Sequence, residues 1–450
     1  MIVMFGRNLL QLLQVGEIQP GITAQEFAHR RKNFTQMMQP NSLAIIGSSP
    51  TVYMAGVIPY AYRPDSDFQY MTGIIQPECV ATVDCKGVYT LYYPDYSEYR
   101  NTWTGALMSK DAAIGFFGAD EAYSTTEMKH HLRQRVSDAS HVYIDMGSGT
   151  PALMGSEYWR NTFDIVSEVS RDSDIQLLAT KPVVNRLRWV KSPAEIELMR
   201  KSARIGASAM IDAIAATKPG MTEHDIAALF EYRCKAQGAQ RMAYPPVVGS
   251  GSDACTIHYS RNDKILLGDN LLLLDGGCEY YGYCSDITRT WPINGKLEGP
   301  QRTVYDIVFA VHKELLGDCR AGTTLRSLHQ KSVALLREGL RYLGSSSRGH
   351  YPLLEKNNYR NFYPHSVGHW LGMDTHDSST VSHDLPLRQG VALTIEPGIY
   401  IPDIEEFGPY RGIGIRLEDD VVISKSGEAE ILSGDAPLDP DDLAQLMSKC

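Results

Sequence analysis

The chain has 450 residues, 43% hydrophobic and 21% charged, which excludes a small stapled scaffold, a disordered chain and a fibrous one. With 43 Lys and Arg against 53 Asp and Glu, its net charge of −10 at pH 7 offers no general attraction to nucleic acid or an anionic membrane. Eight cysteines without a CxxC pair predict free thiols in a reducing, intracellular compartment rather than a secreted protein, and no apolar run reaches the ~20 residues of a membrane span.

The opening MIVMFGRNLLQLLQVGE carries Arg7 and no acid before Glu17, which fits a short organellar presequence and an ordinary frayed terminus alike; mitochondrion and cytoplasm both stay open. From about Gln25 a helical pattern leads to the strand-like Leu43–Gly47. Further strand signals at Cys79–Val83, Val88–Tyr93 and His141–Asp145 alternate with helical stretches such as Thr126–Val136. This alternation predicts an α/β domain over residues 20–182, a mixed sheet flanked by helices, ending where Ile175–Ala179 meets Thr180-Lys181-Pro182.

A second domain, 183–440, begins with a capping box: Ser192 as N-cap, Pro193 in the first turn and Glu195 three residues after the cap. Helices are expected after Met221 and over Tyr305–Leu316, and strands at Leu271–Leu274, Val391–Ile395 and Gly414–Glu418, so this half is mixed α and β. Its acids are oddly placed. Asp275, Glu396 and Glu418 each end an apolar strand-like run, and Asp286 follows Asp275 by 11 residues. A buried carboxylate needs a cation or a basic partner to offset its desolvation, so a metal is one reading; a turn or edge acid, or pairing with a cation such as Arg416, is the other.

His365 and His369, four apart, could share a helix face, but the glycines among them fit a turn or extended path as well. Two Asp, two Glu and one His make an oxygen-rich set for two divalent ions, favouring Mn²⁺, Co²⁺, Fe²⁺ or Zn²⁺ over a Cys-based structural zinc site. Two such ions, about 3.5 Å apart, would activate a water and polarise a carbonyl, which implies hydrolysis. HExxH, GxSxG and GxxxxGK[ST] are absent.

The ordered motifs HYS at 258–260, LLDGGCEYYGYCSDITRTWPING, HSVGHWLGMDTHD, TIEPGIYI and YRGIGIRLEDD, with YRPDSDFQYMTGIIQPE near the N-terminus, resemble the aminopeptidase P family of pita-bread metallopeptidases. The resemblance runs from about residue 20 to about residue 440 and is nearest to the bacterial enzymes and the mitochondrial, intermediate-cleaving branch. It implies an N-terminal domain of the creatinase/aminopeptidase P type and an α+β pita-bread catalytic domain.

By that resemblance Asp275, Asp286, His369, Glu396 and Glu418 hold two divalent ions, Mn²⁺ foremost, and Glu396 is the general base. His258, His365 and His376 stand on the substrate side: His376 at the scissile or proline carbonyl, His258 in proton handling or stabilisation of the tetrahedral intermediate. Tyr400 and Arg416 orient ligands and relay protons. Trp103 sits where the family brings an aromatic to the site mouth, from its own or a neighbouring subunit; an ordinary core tryptophan is the alternative.

The activity implied is hydrolysis of the N-terminal Xaa-Pro bond of peptides or proteins, in a homodimer or homotetramer. Three alternatives stand beside it: trimming of one residue from imported proteins without a proline requirement, prolidase action on dipeptides, and a metal-free pita-bread binding module. Gly368 stands where some relatives carry another small residue, a change expected to leave the site unaffected. Gly344–Asn361 reads as a variable surface loop that could alter access.

Overall fold

The computed structural model describes residues 13–95, 97–145, 157–171, 173–345, 352, 354 and 358–448. Most of the presequence-like start and much of the 344–361 loop therefore lie outside the described residues. The chain divides into two units, Met1–Arg188 and Trp189–Cys450.

In the first unit six strands form one mixed sheet, in the spatial order Gln176–Leu178, His141–Tyr143, Ser42–Gly47, Val80–Asp84, Tyr89–Tyr93 and Glu121–Ser124. The three at its centre pair antiparallel and the outer ones parallel. Every residue of Ser42–Gly47 is buried, as a strand covered on both faces requires. Helices Thr125–Ser137 and Glu157–Arg171 supply Leu132, Val136, Ile165 and Trp159 to the core against Leu43 and Ile45. Gly47 has no room for a Cβ, because the Trp159 ring lies against it.

Helix Ala24–Thr35 buries Arg30 and Arg31, whose guanidinium groups donate to the carbonyls of Tyr70 and Met71 at 3.2 and 3.0 Å. Those carbonyls end helix Ser66–Thr72, so two cations satisfy acceptors that a helix C-terminus leaves open. Thr180-Lys181-Pro182 opens a further helix, Lys181–Arg188, and the division between the units falls at its end.

The second unit starts as its sequence predicts. Ser192 accepts from the Glu195 N–H at 3.2 Å and Glu195 accepts from the Ser192 N–H at 2.8 Å, capping helix Pro193–Ala216. Helix Glu223–Ala236 packs beside it. Strands Val247–Ser250, Leu271–Gly276 and Ile287–Pro292 form one antiparallel sheet; Ala392–Ile395, Asp419–Ile423 and Ala429–Ile431 form another. Gly398–Tyr400 pairs with Gly414–Arg416, and a bridge between Thr288 and Glu418 joins the two halves.

Helix Leu325–Gly344 is absent from the sequence reading, although Leu325, Leu328, Leu336, Leu340 and Leu343 recur at helical spacing and all enter the core. The His365–His369 segment is not helical: Trp370 bridges to Leu393, and the chain lies extended along strand Ala392–Ile395.

Beside the first helix of this unit, Lys191 Nζ meets Asp377 Oδ2 at 3.1 Å, with the side chains 1% and 0% exposed, and Ser378 donates to the same oxygen at 3.0 Å. Removing one member of a buried pair strands the other charge. Lys191→Ala should therefore lower unfolding stability by about 3–5 kcal/mol in a urea titration.

Candidate metal centre

Four strand ends deliver the acids. Asp275 lies near the end of Leu271–Gly276 and is paired across the sheet with Thr288; Asp286 immediately precedes Ile287–Pro292. Glu396 follows Ala392–Ile395, and Glu418 lies between Gly414–Arg416 and Asp419–Ile423. A strand directs side chains along the pleat until its last residue. The acids thus converge at the sheet ends while their apolar neighbours fill the core.

Asp286, His369 and Glu418 each present a donor atom, all within 4.8 Å of one another. His369 Nε2 is 3.3 Å from Asp286 Oδ2 and 3.6 Å from Glu396 Oε1. Tyr244 donates toward Asp275 Oδ1 at 2.5 Å and also contacts Asp286 Oδ1, tying the two aspartates together. The expected five residues are thereby brought to one place. Arg416 does not pair with either glutamate; its Nη2 meets Asp275 Oδ2 at 2.5 Å.

Crowding shows in the proton affinities. Burial pushes Glu396 up to about 7, with neighbouring Asp286 adding to the shift and His369 opposing it. Burial likewise lifts Glu418 well above the carboxylate range and raises Asp275. For His369 burial works against the charge, but Asp286 and Glu396 more than offset it and hold the ring up to about 9. Four carboxylates and an imidazole, with no thiolate among them, form the donor set of hard to borderline divalent ions.

A second layer holds these groups. Thr288 donates to Glu418 Oε2 at 2.6 Å, and Thr394 contacts Glu396 Oε1 at 3.3 Å and accepts from the His369 N–H at 3.2 Å. The Asp286 N–H donates to both oxygens of Asp420, each at 3.1 Å. Buried Arg289 donates to the Thr288 carbonyl at 2.9 Å, to the Glu418 carbonyl at 2.5 Å and to Asp419 at 2.8 Å. Sequence reasoning missed Tyr244, Thr288, Arg289, Thr394 and Asp420. Only the aspartates of IRLEDD left a signal, two more acids running into an apolar strand.

On the other side, Arg416 donates to the Tyr400 hydroxyl at 2.9 Å, and that hydroxyl lies 2.8 Å from His365 Nε2. Burial and Arg416 push His365 down to about 3, so the ring is neutral. Its Nδ1–H faces the Ser366 carbonyl at 2.7 Å, which leaves Nε2 to accept from Tyr400. The His376 ring lies 4.2 Å between centroids from His369, tilted by 55°, and burial and His369 lower its pKa. Exposed His258 is within electrostatic reach of both His365 and His376. Trp103, in helix Glu98–Thr104 of the first unit, is 73% exposed, which removes the core-tryptophan alternative.

One expectation needs correction. A Cβ at Gly368 would run into the Thr394 carbonyl, beside the hydroxyl that supports His369 and Glu396, so even alanine there disturbs the site.

The family model for metallopeptidase family M24 matches residues 197–425, and that for the aminopeptidase P N-terminal domain matches residues 27–143. The chain belongs to metallopeptidase family M24. It is 38% identical over 427 residues to intermediate cleaving peptidase 55, mitochondrial, of Arabidopsis thaliana, covering 95% of this chain and 83% of that one. It is 34% identical over 460 residues to human Xaa-Pro aminopeptidase 3, covering 97% and 89%.

Proline aminopeptidase P II from Yersinia pestis superimposes with a TM-score of 0.87 at 33% identity, over 95% of this chain and all of that one. Zn-substituted Escherichia coli aminopeptidase P in complex with product gives 0.86 at 33% identity, over 95% and 99%. The expected fold, an aminopeptidase P N-terminal domain followed by a pita-bread unit, is borne out, and this M24 chain is a divalent-metal peptidase. Among the described residues no helix is long and apolar enough to cross a membrane.

Metal binding to these groups competes with protons. Glu396, Glu418 and His369 must be deprotonated to act as donors, and each holds its proton to higher pH than usual. Apparent Mn²⁺ affinity should therefore rise as pH increases through 7 towards 9, with net proton release in calorimetry repeated in two buffers. In chelator the sign for stability is opposite. The folded chain binds more protons than the unfolded one between the ordinary glutamate value of 4.5 and about 9, so Tm falls as pH rises across that window.

Proposed function

We propose that the protein is a metal-dependent aminopeptidase that hydrolyses the N-terminal Xaa-Pro bond. The observation that carries this reading is the convergence of Asp286, His369 and Glu418 within 4.8 Å, with Asp275 and Glu396 at their flanks. Asp275, Asp286, His369, Glu396 and Glu418 would hold two divalent ions. Mn²⁺ is favoured, with Co²⁺, Fe²⁺ and Zn²⁺ as alternatives that the same oxygen and nitrogen donors accept. Bound divalent ions supply Lewis acidity and a water of lowered pKa.

The chain's own groups then divide the work. Glu396 takes a proton from the attacking water as the new C–O bond forms, and that proton passes on to the proline nitrogen as the C–N bond breaks. His376, neutral, would offer a hydrogen bond to a substrate carbonyl without adding a charge that would repel a free α-ammonium group, and neutral His365, its two nitrogens engaged by the Ser366 carbonyl and the Tyr400 hydroxyl, would meet the substrate through its ring. His258 would stabilise oxyanion charge or carry a proton, a role supported by its electrostatic reach to His365 and His376. Arg416 and Tyr400 hold His365 and Asp275 in register. Proline after the scissile bond has fixed φ and no N–H, so a pocket shaped to its ring selects it. Trp103 keeps its place as an exposed aromatic for substrate or a second subunit to cover, in a homodimer or homotetramer.

A second reading has its own support. The chain is 38% identical to a mitochondrial intermediate cleaving peptidase of Arabidopsis, which supports one-residue trimming of imported proteins in a mitochondrion as a reading beside Xaa-Pro cleavage. Dipeptide-only prolidase action and a metal-free binding role have no comparable observation behind them.

Purified protein should be given matched peptides beginning Tyr-Pro-Ala and Tyr-Ala-Ala, with Mn²⁺ and with chelator, and the products weighed by mass spectrometry. Metal-dependent loss of Tyr from the proline peptide alone is the expected result. Loss from both transfers the assignment to the trimming role, and loss from neither sinks the proposal. Glu396→Gln should retain fold and lower kcat by about 10²–10⁴-fold; near-normal turnover removes Glu396 from the base role.

A further inference from the structure

His258 lies on a loop held shut by one buried carboxylate. Glu223, the first residue of helix Glu223–Ala236, is fully buried. Its Oε1 accepts the N–H and the hydroxyl of Ser250, both at 2.8 Å. Its Oε2 accepts the Tyr259 hydroxyl at 2.9 Å and the Lys264 N–H at 3.1 Å, while its own N–H donates to the Lys264 carbonyl at 2.9 Å. Four donors on two oxygens offset the desolvation of this charge, and the partial positive charge of the helix start adds to them.

Ser250 and Lys264 bracket the loop, and Tyr259 is the neighbour of His258. A second clasp lies close by: Asn262 accepts from the Val248 N–H at 3.0 Å and donates to the Pro246 carbonyl at 2.8 Å. Between the clasps the Tyr259 ring packs with Val247, Ala254, Leu273 and Tyr400, and Tyr400 contacts His365 and Arg416 through its hydroxyl. His258 itself is exposed on a turn. Its position follows from where Tyr259 is pinned.

We propose that Glu223 is a positioning residue for His258, fixing the loop between Ser250 and Lys264 and, through Tyr259, the place of the imidazole beside the substrate. This rests on the substrate-side reading of His258 given above. A merely structural clasp would support the fold without any energetic link to that ring.

The test uses the metal-loaded full chain and two substitutions, Glu223→Gln and Tyr259→Phe, each made with His258 present and with His258→Ala. Tyr259→Phe deletes one hydrogen bond and serves alone if Glu223→Gln does not fold. The readouts are metal content, hydrogen exchange across residues 251–264, and kcat and KM on the Tyr-Pro-Ala peptide. Expected are unchanged metal content, faster exchange in that loop, and kcat lowered about tenfold with KM within about twofold. In the His258→Ala background the same substitutions should change kcat by less than about twofold.

Equal fold-losses in both backgrounds, or unchanged loop exchange, would overturn the proposal while leaving the role of His258 standing. A His258→Ala enzyme with normal kcat would overturn the substrate-side reading and this proposal together, and faster exchange would then mark Glu223 as support for the fold alone.

Discussion

Four carboxylates gathered in a buried space constrain everything else in the second unit. Asp275, Asp286, Glu396 and Glu418 repel one another where water screens little, and burial raises the proton affinity of Asp275, Glu396 and Glu418. Among the described residues Arg416 brings its guanidinium to one carboxylate of the group, Asp275. Tyr244 between two aspartates and Thr288 on Glu418 satisfy individual oxygens, but hydroxyl groups do not cancel charge. Divalent cations do, which is why this cluster is intelligible as a metal centre and hard to explain as scaffolding.

Holding such a cluster in place needs stiffness behind it. Asp420 grips the Asp286 amide, and Arg289 fastens the Thr288 and Glu418 carbonyls while paired to Asp419. The two acids that follow Glu418 thus serve opposite sides of one strand, Asp419 toward Arg289 and Asp420 toward Asp286. Thr394 does a similar service for His369 and Glu396. The strands also take the backbone through the region with its hydrogen bonds made, so that side chains rather than main-chain groups face the centre.

Charge changes sign of effect a few ångströms away. The same Arg416 that lowers the proton affinity of His365 also donates to Tyr400, whose hydroxyl in turn faces His365. The ring is neutral with one tautomer selected by the Ser366 carbonyl, so an uncharged imidazole stands next to an anionic centre. That separation of charged donors from neutral contacts suits a substrate with a charged N-terminus and an uncharged scissile carbonyl.

Local chemistry was legible in the chain itself. The Ser192 and Glu195 capping box, the apolar runs and the acids that end them follow from short-range sterics and hydrogen bonding, and Asp275, Glu396 and Glu418 stood out because a carboxylate ending a buried apolar run needs a cation or a basic partner. Helix Leu325–Gly344 carried a readable stripe as well. What only the tertiary structure decided are the pairings between distant segments: Arg416 with Asp275 rather than a glutamate, Tyr244 between two aspartates, and Glu223 across a loop. Gly368 belongs with them, since its intolerance of a Cβ comes from a carbonyl on another strand. Such contacts join residues far apart in sequence, and neither periodicity nor residue type records which partner the fold will bring alongside.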